Sequence, residues 1–201
     1  MDINPSKLEH RKAHDLLTGL IIPRPIAWVT TVGDGGTVNL APFSMFNLVA
    51  WSPPTLSICA VNRPDGSRKD TVRNILSTGQ FVVSLVSEEL APKMAATSAT
   101  LPYEVDEAAR ESIQLSPSMA VAPPRVLDAK AAFECELDRI ITVGEGANAG
   151  NLILGTIRNV HLQEGLLGET GEIVWRNLHA VARLGGNSFC RVEADFEIKF
   201  Q

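Results

Sequence analysis

Ile26-Ala27-Trp28-Val29-Thr30-Thr31-Val32-Gly33-Asp34-Gly35-Gly36-Thr37-Val38-Asn39-Leu40-Ala41 is the stretch on which the fold turns. β-Branched and aromatic residues fill Ile26 to Val32, the cluster Gly33 to Gly36 suits the positive φ of a hairpin, and Thr37 to Ala41 returns as a second strand broken by Pro42. Downstream, Ser52-Pro53-Pro54 announces a third strand, Thr55 to Val61, and Phe43 to Trp51 between them reads as apolar but irregular. Upstream lies a short polar arm carrying His10 and His14.

From Ser67 the period changes. Val72, Ile75 and Leu76 fall at helical spacing, Ser67 and Asp70 fit a capping box and Gly79 fits a C-cap, which predicts a helix from Lys69 to Ser77. Gln80 to Val86 reads as a strand, Ser87 to Ala96 as a helix with Leu90, Ala91, Met94 and Ala95 on one face, and Tyr103 to Ser112 as an acidic, weakly helical insertion. Strands return at Lys130 to Val143, Leu152 to Leu162 and Arg191 to Gln201, the last alternating Val192, Ala194, Phe196, Ile198 and Phe200 with charged residues, one face wet and the other buried. Strands early and late with short helices between them predict a β-dominated α+β fold, a closed or nearly closed antiparallel barrel, in a single domain over residues 1–201.

With 201 residues, 45% hydrophobic and 20% charged, the chain can bury a sizeable core. A net charge of −5 and one short basic cluster, Arg63 to Arg73, argue against a nucleic-acid partner. No secretory leader or membrane-spanning run is read, and Cys59, Cys135 and Cys190, an odd number at wide spacing, suit neither a disulfide framework nor a zinc site; a reducing cytoplasm is the simplest expectation. The four histidines are scattered, so no metal site is expected, and no nucleophile elbow occurs.

Arg63-Pro64-Asp65-Gly66-Ser67-Arg68-Lys69-Asp70-Thr71 carries a turn rich in hydroxyls and cations into a helix start, where unpaired N–H groups favour an anion. A capped surface helix with solvated cations fits the same residues. Ser44-Met45-Phe46-Asn47 offers irregular backbone beside apolar side chains, which suits a flat heteroaromatic ring or, equally, a barrel corner. Trp28 and Trp51 are either flanks of such a ring or core. Gly144 to Gly150 has the spacing GxGxxxG between two strands and reads as a hairpin loop, and Arg183-Leu184-Gly185-Gly186-Asn187 reads as a close approach of backbone to a cofactor or subunit, or as a turn.

In order and spacing, Pro23-Arg24-Pro25-Ile26-Ala27-Trp28-Val29-Thr30-Thr31, Val38-Asn39-Leu40-Ala41-Pro42-Phe43-Ser44-Met45-Phe46-Asn47, Ser52-Pro53-Pro54 and Pro64-Asp65-Gly66-Ser67-Arg68-Lys69-Asp70-Thr71-Val72-Arg73-Asn74 resemble the flavin reductase-like, FMN-binding split-barrel family. Leu152-Ile153-Leu154-Gly155 and Ala182-Arg183-Leu184-Gly185-Gly186 are similar to its C-terminal half, so the resemblance covers residues 15 to 200.

The resemblance implies a Greek-key split β-barrel with short helices, a homodimer, and FMN near the subunit interface. By position, Trp28, Val29, Thr30, Ser44, Met45, Phe46 and Asn47 would contact the isoalloxazine and ribityl chain. Ser67, Lys69, Asp70 and Thr71 would hold the phosphate, Asp70 as cap and orienter because two anions repel, and Arg183 would lie near the flavin's polar edge or across the interface. The implied activity is an NAD(P)H:flavin reductase, in which hydride passes from NADH or NADPH to flavin N5 and onward to free flavin, a partner monooxygenase or another acceptor. Such a transfer obliges no side-chain acid or base. Two other readings stand beside it, a flavoredoxin-like FMN electron carrier reduced by a protein partner and a flavin-free binding module. Phe189 stands near the place where many relatives carry tyrosine, and residues 88–124, matched least, are the expected cover and substrate selector.

Overall fold

The computed structural model describes residues 1–193 and 195–199 of the chain. Its first half runs α1 (His10–Leu20), β1 (Arg24–Pro25), β2 (Ala27–Val32), β3 (Val38–Phe43), β4 (Phe46–Trp51), β5 (Pro54–Val61), α2 (Asp70–Thr78) and β6 (Gln80–Leu85). There follow α3 (Ala91–Ala96), α4 (Glu107–Arg110), β7 (Leu115–Ser116), β8 (Arg125–Val126), β9 (Ala131–Val143), β10 (Gly150–Leu162), β11 (Val181–Arg183) and β12 (Phe189–Arg191).

Seven strands form one antiparallel sheet in the order β3-β2-β6-β9-β10-β5-β4. Its two edge strands, β3 and β4, are consecutive in the chain with only Ser44 and Met45 between them. That short corner curls the sheet toward closure while no ladder joins its ends, which makes the barrel a split one. A smaller sheet, β1-β11-β12, sets Arg24 opposite Arg183.

β2 shows why the opening stretch reads as it does. Successive strand residues face opposite sides. Ala27 and Val29 enter the barrel core with Phe43, Leu56, Ile58, Phe81, Val83 and Ile153, closed at one end by Val72 and Ile75 of α2. Ile26 and Trp28 enter a second core with Leu40, Val86, Leu90, Met94 and Val126. Both faces of β2 are buried, so both need apolar residues. The Gly33–Gly36 turn closes by Gly33 N donating to Thr37 O at 2.9 Å, with Gly36 at φ 82°. Gly79 ends α2 in the left-handed region at φ 70°, and its N–H returns to Ile75 O.

Several expectations are corrected. The polar arm is helical as α1, and Phe43 to Trp51 contains the strand β4, paired with β5 from Phe46 opposite Ile58 to Trp51 opposite Pro54 with a register shift between Leu48 and Ala50. Pro42 does not break β3; it lies opposite Trp28 on an edge strand, where a missing N–H costs no ladder bond. The helix expected from Ser87 to Ala96 is present, split into a 3-10 turn, Glu88–Leu90, that runs directly into α3 from Ala91. The strand expected over Arg191 to Gln201 is only Phe189–Arg191, with Ala194, Phe200 and Gln201 outside the described residues. Its register with β11 ends at Val181 opposite Arg191, and beyond that point Phe196 is 85% and Ile198 66% exposed. Alternation marks an amphipathic strand, but a strand also needs a neighbour to hydrogen-bond. Gly144–Ala149 is the hairpin loop expected, since Val143 pairs with Gly150. Among the described residues no helix is long and apolar enough to cross a membrane.

Candidate functional site

The turn before α2 is braced from two sides. Arg63 N donates to Ser67 O at 2.8 Å and Gly66 N to Arg63 O at 2.9 Å, while Asn62 Nδ2 reaches Gly66 O and, across the β9–β10 loop, Gly146 O at 3.0 Å. The expected capping box does not form. Lys69 is the N-cap and makes no side-chain cap bond, and Ser67 instead gives its N–H to Asp65 Oδ1 at 2.8 Å.

Asp70 opens the helix with its carboxylate held by Arg63 Nη2 at 2.6 Å and faced by Arg73 Nη1 at 3.6 Å. Those cations neutralise it, so it orients the turn and leaves the helix end free for another anion. Lys69 lies 5.5 Å over the Phe43 ring. Desolvation, with Arg63 adding repulsion, holds its ammonium below the ordinary lysine pKa, even though the residue keeps exposed surface.

Thr71 is 1% exposed and its hydroxyl accepts from Asn39 Nδ2 at 2.9 Å. With that lone pair engaged, its own O–H is available as a donor. Asn74 Nδ2 donates to Thr31 Oγ1 at 3.0 Å and Asn74 Oδ1 accepts from Tyr103 O–H at 2.8 Å, which ties the insertion to α2; Arg73 stacks on the Tyr103 ring at 4.1 Å. Gly33 is small by necessity here, because a Cβ would strike the Tyr103 hydroxyl.

These groups open on one cavity, where Lys69, Asp70, Thr71 and Arg63 meet Asn39, Pro42, residues 97–101 and Glu107. Ser44–Asn47 and Arg183 do not line it. Ser44 lies beside Arg24, Nε to Oγ 3.5 Å, and Met45 O accepts from Cys59 N at 2.8 Å. Phe46 and Asn47 begin β4, whose outer edge is unpaired, so free main-chain groups exist there along an edge strand. Arg183 is turned onto its own glycine turn, Nη2 donating to Gly186 O at 2.8 Å, 5.5 Å from the Phe189 ring.

Trp28, Val29 and Thr30 have no exposed surface, and β3 and β6 occupy both edges of their strand, so the structure brings none of the three to the cavity. Trp28 acts at one remove: Nε1 donates to Thr97 Oγ1 at 2.9 Å and fixes the cavity wall. Trp51, the other tryptophan expected beside a ring, is 86% exposed on β4.

Sequence reasoning missed Asn39, Arg63, Arg24 and Glu107. Asn39 and Arg24 lie inside the quoted motifs as polar residues among apolar ones, and Arg63 opens the cationic turn, where its role as partner of Asp70 is not local. Arg24 is 8% exposed and binds Thr18 O, Ile21 O at 2.8 Å and Leu184 O at 2.8 Å, so it caps the carbonyl end of α1. Burial, then Arg183, lowers its pKa. Glu107 had no local signal, since nothing in an acidic insertion says which carboxylate folds back onto β3.

A split barrel with short helices and an anion-suited cavity at a helix start defines a class, and the chain belongs to it: residues 19–182 match the family described as "Flavin reductase like domain". Among individual proteins, the chain is 38% identical over 195 residues to the uncharacterized protein YwrF of Bacillus subtilis, covering 96% of this chain and 95% of that one. Nitrilotriacetate monooxygenase component B from Bacillus cereus superposes with a TM-score of 0.93 at 36% identity, covering 98% of each chain. The 2-nitrobenzoate 2-nitroreductase NbaA of Pseudomonas fluorescens superposes with a TM-score of 0.89 at 31% identity, covering 100% of this chain and 96% of that one.

Proposed function

We propose that the protein is an FMN-dependent NAD(P)H:flavin reductase whose phosphate site is the cavity at the start of α2. The observation that carries the reading is the donor set there: Lys69, the Thr71 hydroxyl left free by Asn39, and first-turn amides that have no intrahelical acceptor, with Asp70 already neutralised by Arg63. That chemistry fits a phosphate monoester. Ser67 extends the same donor row, and Ser44, Met45, Phe46 and Asn47 would meet the ring at the free edge of β4, with Arg183 nearest the Arg24–Ser44 corner.

Held there, FMN would supply two-electron chemistry between NADH or NADPH and free flavin, a partner monooxygenase or another acceptor. The chain's own residues bind and orient. Asp70 and Arg63 keep the phosphate turn rigid, and Trp28 through Thr97, Tyr103 through Asn74 and Glu107 through Leu40 fix the insertion as the cavity's cover. A homodimer belongs to this reading, supported by Leu48, Val49 and Trp51, which are 58%, 52% and 86% exposed along β4. Component B as a structural relative supports a monooxygenase partner, and three free cysteines suit the reducing cytoplasm.

The test is the visible spectrum of the protein loaded with FMN and desalted, followed by anaerobic NADH or NADPH. Retained absorbance that bleaches rapidly with one nucleotide is the expected result. Retained absorbance that bleaches only with a reductase protein would replace this reading with the flavoredoxin-like carrier.

A further inference from the structure

Glu107 is a carboxylate set into a cavity otherwise suited to anions. It is 7% exposed, and its Oε2 accepts from Leu40 N at 3.0 Å, which holds the side chain against β3. The charged groups sharing its cavity are Arg63, Lys69 and Asp70; Asp106 caps its own helix, whose last turn carries the exposed Arg110, and β3, packed against α4, brings no ionisable group. Arg63 is spent on Asp70 at 2.6 Å. Lys69 and Glu107 are then the two charges left to act on a ligand, and they oppose one another. A phosphate dianion loses to ionised Glu107 much of what it gains from Lys69.

We infer that Glu107 is the charge gate of this cavity: ionised, it repels a phosphate dianion, and protonated, it becomes a donor, so phosphate-bearing flavin and one proton bind together. The inference rests on the FMN reading above. The proton comes from solvent and settles on Oε1, while Oε2 keeps the Leu40 amide. Nothing is oxidised or reduced and no bond other than this O–H forms. Burial already pushes the Glu107 carboxyl above its usual range, with Asp70 and Asp106 adding to the shift, so a further anion completes a tendency present in the empty cavity.

FMN and riboflavin binding, followed by flavin fluorescence between pH 7 and 9, tests the gate, because a phosphate with its second ionisation near about 6 is dianionic over most of that range. The wild type should lose about tenfold in FMN affinity across the window and nothing in riboflavin affinity. Glu107→Gln, which keeps an oxygen for Leu40 N, should bind FMN tightly and without pH dependence. Lys69→Arg, which removes the other group able to titrate there, should keep the wild-type loss. A flat wild-type profile, a loss that survives in Glu107→Gln, or one that vanishes in Lys69→Arg overturns the gate while leaving FMN binding intact. Binding of neither flavin would overturn the FMN reading itself, and the gate with it. Should Glu107→Gln not fold, the Lys69→Arg profile set against riboflavin decides alone.

Discussion

Around the start of α2, Thr71, Asn39, Thr31, Asn74 and Tyr103 close a hydrogen-bonded network within one chain, whereas along β4 the same chain leaves Leu48, Val49 and Trp51 in water beside an unpaired strand edge. The two regions are joined by Pro42, Phe43 and Ser44. One is finished by a single chain, because charge and hydrogen-bond donors can be set by a turn, a helix start and an insertion that are neighbours in the fold. The other is unfinished, because a large apolar surface and a free edge are stable only when something covers them. On the proposed reading, a phosphate would be recognised by one local region and a ring only by the assembly.

The strongest way to break the comparison is to remove the ion pair on which the finished region rests. Asp70→Ala strands the largely buried Arg63 guanidinium and should cost about 3 kcal/mol, read as a lowered denaturant midpoint with unchanged slope. A loss under about 0.5 kcal/mol would mean that the turn is held by its main chain alone. A finer cut is Thr71→Val, which keeps the shape, removes the donor and leaves Asn39 Nδ2 short of an acceptor. FMN should bind about tenfold more weakly and riboflavin unchanged, in a fluorescence titration at fixed pH. Equal weakening of both flavins would move the phosphate elsewhere. The smallest effect on the isolated chain is expected on β4. Trp51→Lys should leave the chain's stability within about 0.5 kcal/mol of the wild type, because the residue is 86% exposed, yet shift sedimentation at micromolar concentration from twice 21.7 kDa to 21.7 kDa. A wild type that is already monomeric would end the claim that β4 is covered by a second copy.

Much of the barrel was legible from residues alone. The β2–β3 hairpin, α2 with its Gly79 cap, β6, β9 and β10 follow from local pattern, because each carries a hydrophobic period and a turn signal at its end. Of the candidate site, Lys69, Asp70 and Thr71 were legible as a helix start, while their hydrogen-bond partners were not. Ser67 and Asp70 have the spacing of a capping box, but Asp70 prefers a guanidinium to an amide once Arg63 is folded beside it. Trp28 looks like a ring partner in a motif and proves to be core, since the side of β2 it occupies faces the insertion. Long-range placement is what one-dimensional pattern lacks.

The sequence by itself determined the strand and helix periods, the hairpin, the helix start with its cations and hydroxyls, and the family those motifs compose. Only the tertiary structure decided that Glu107 from a distant acidic insertion faces the turn before α2, that Asn39 frees the Thr71 hydroxyl to donate, and that Phe196 and Ile198 pair with no strand among the described residues. The physical reason is the range of the forces involved. Periodicity and capping are settled between residues a few positions apart, whereas burial of a charge and pairing of an edge depend on whatever the closed chain brings against them.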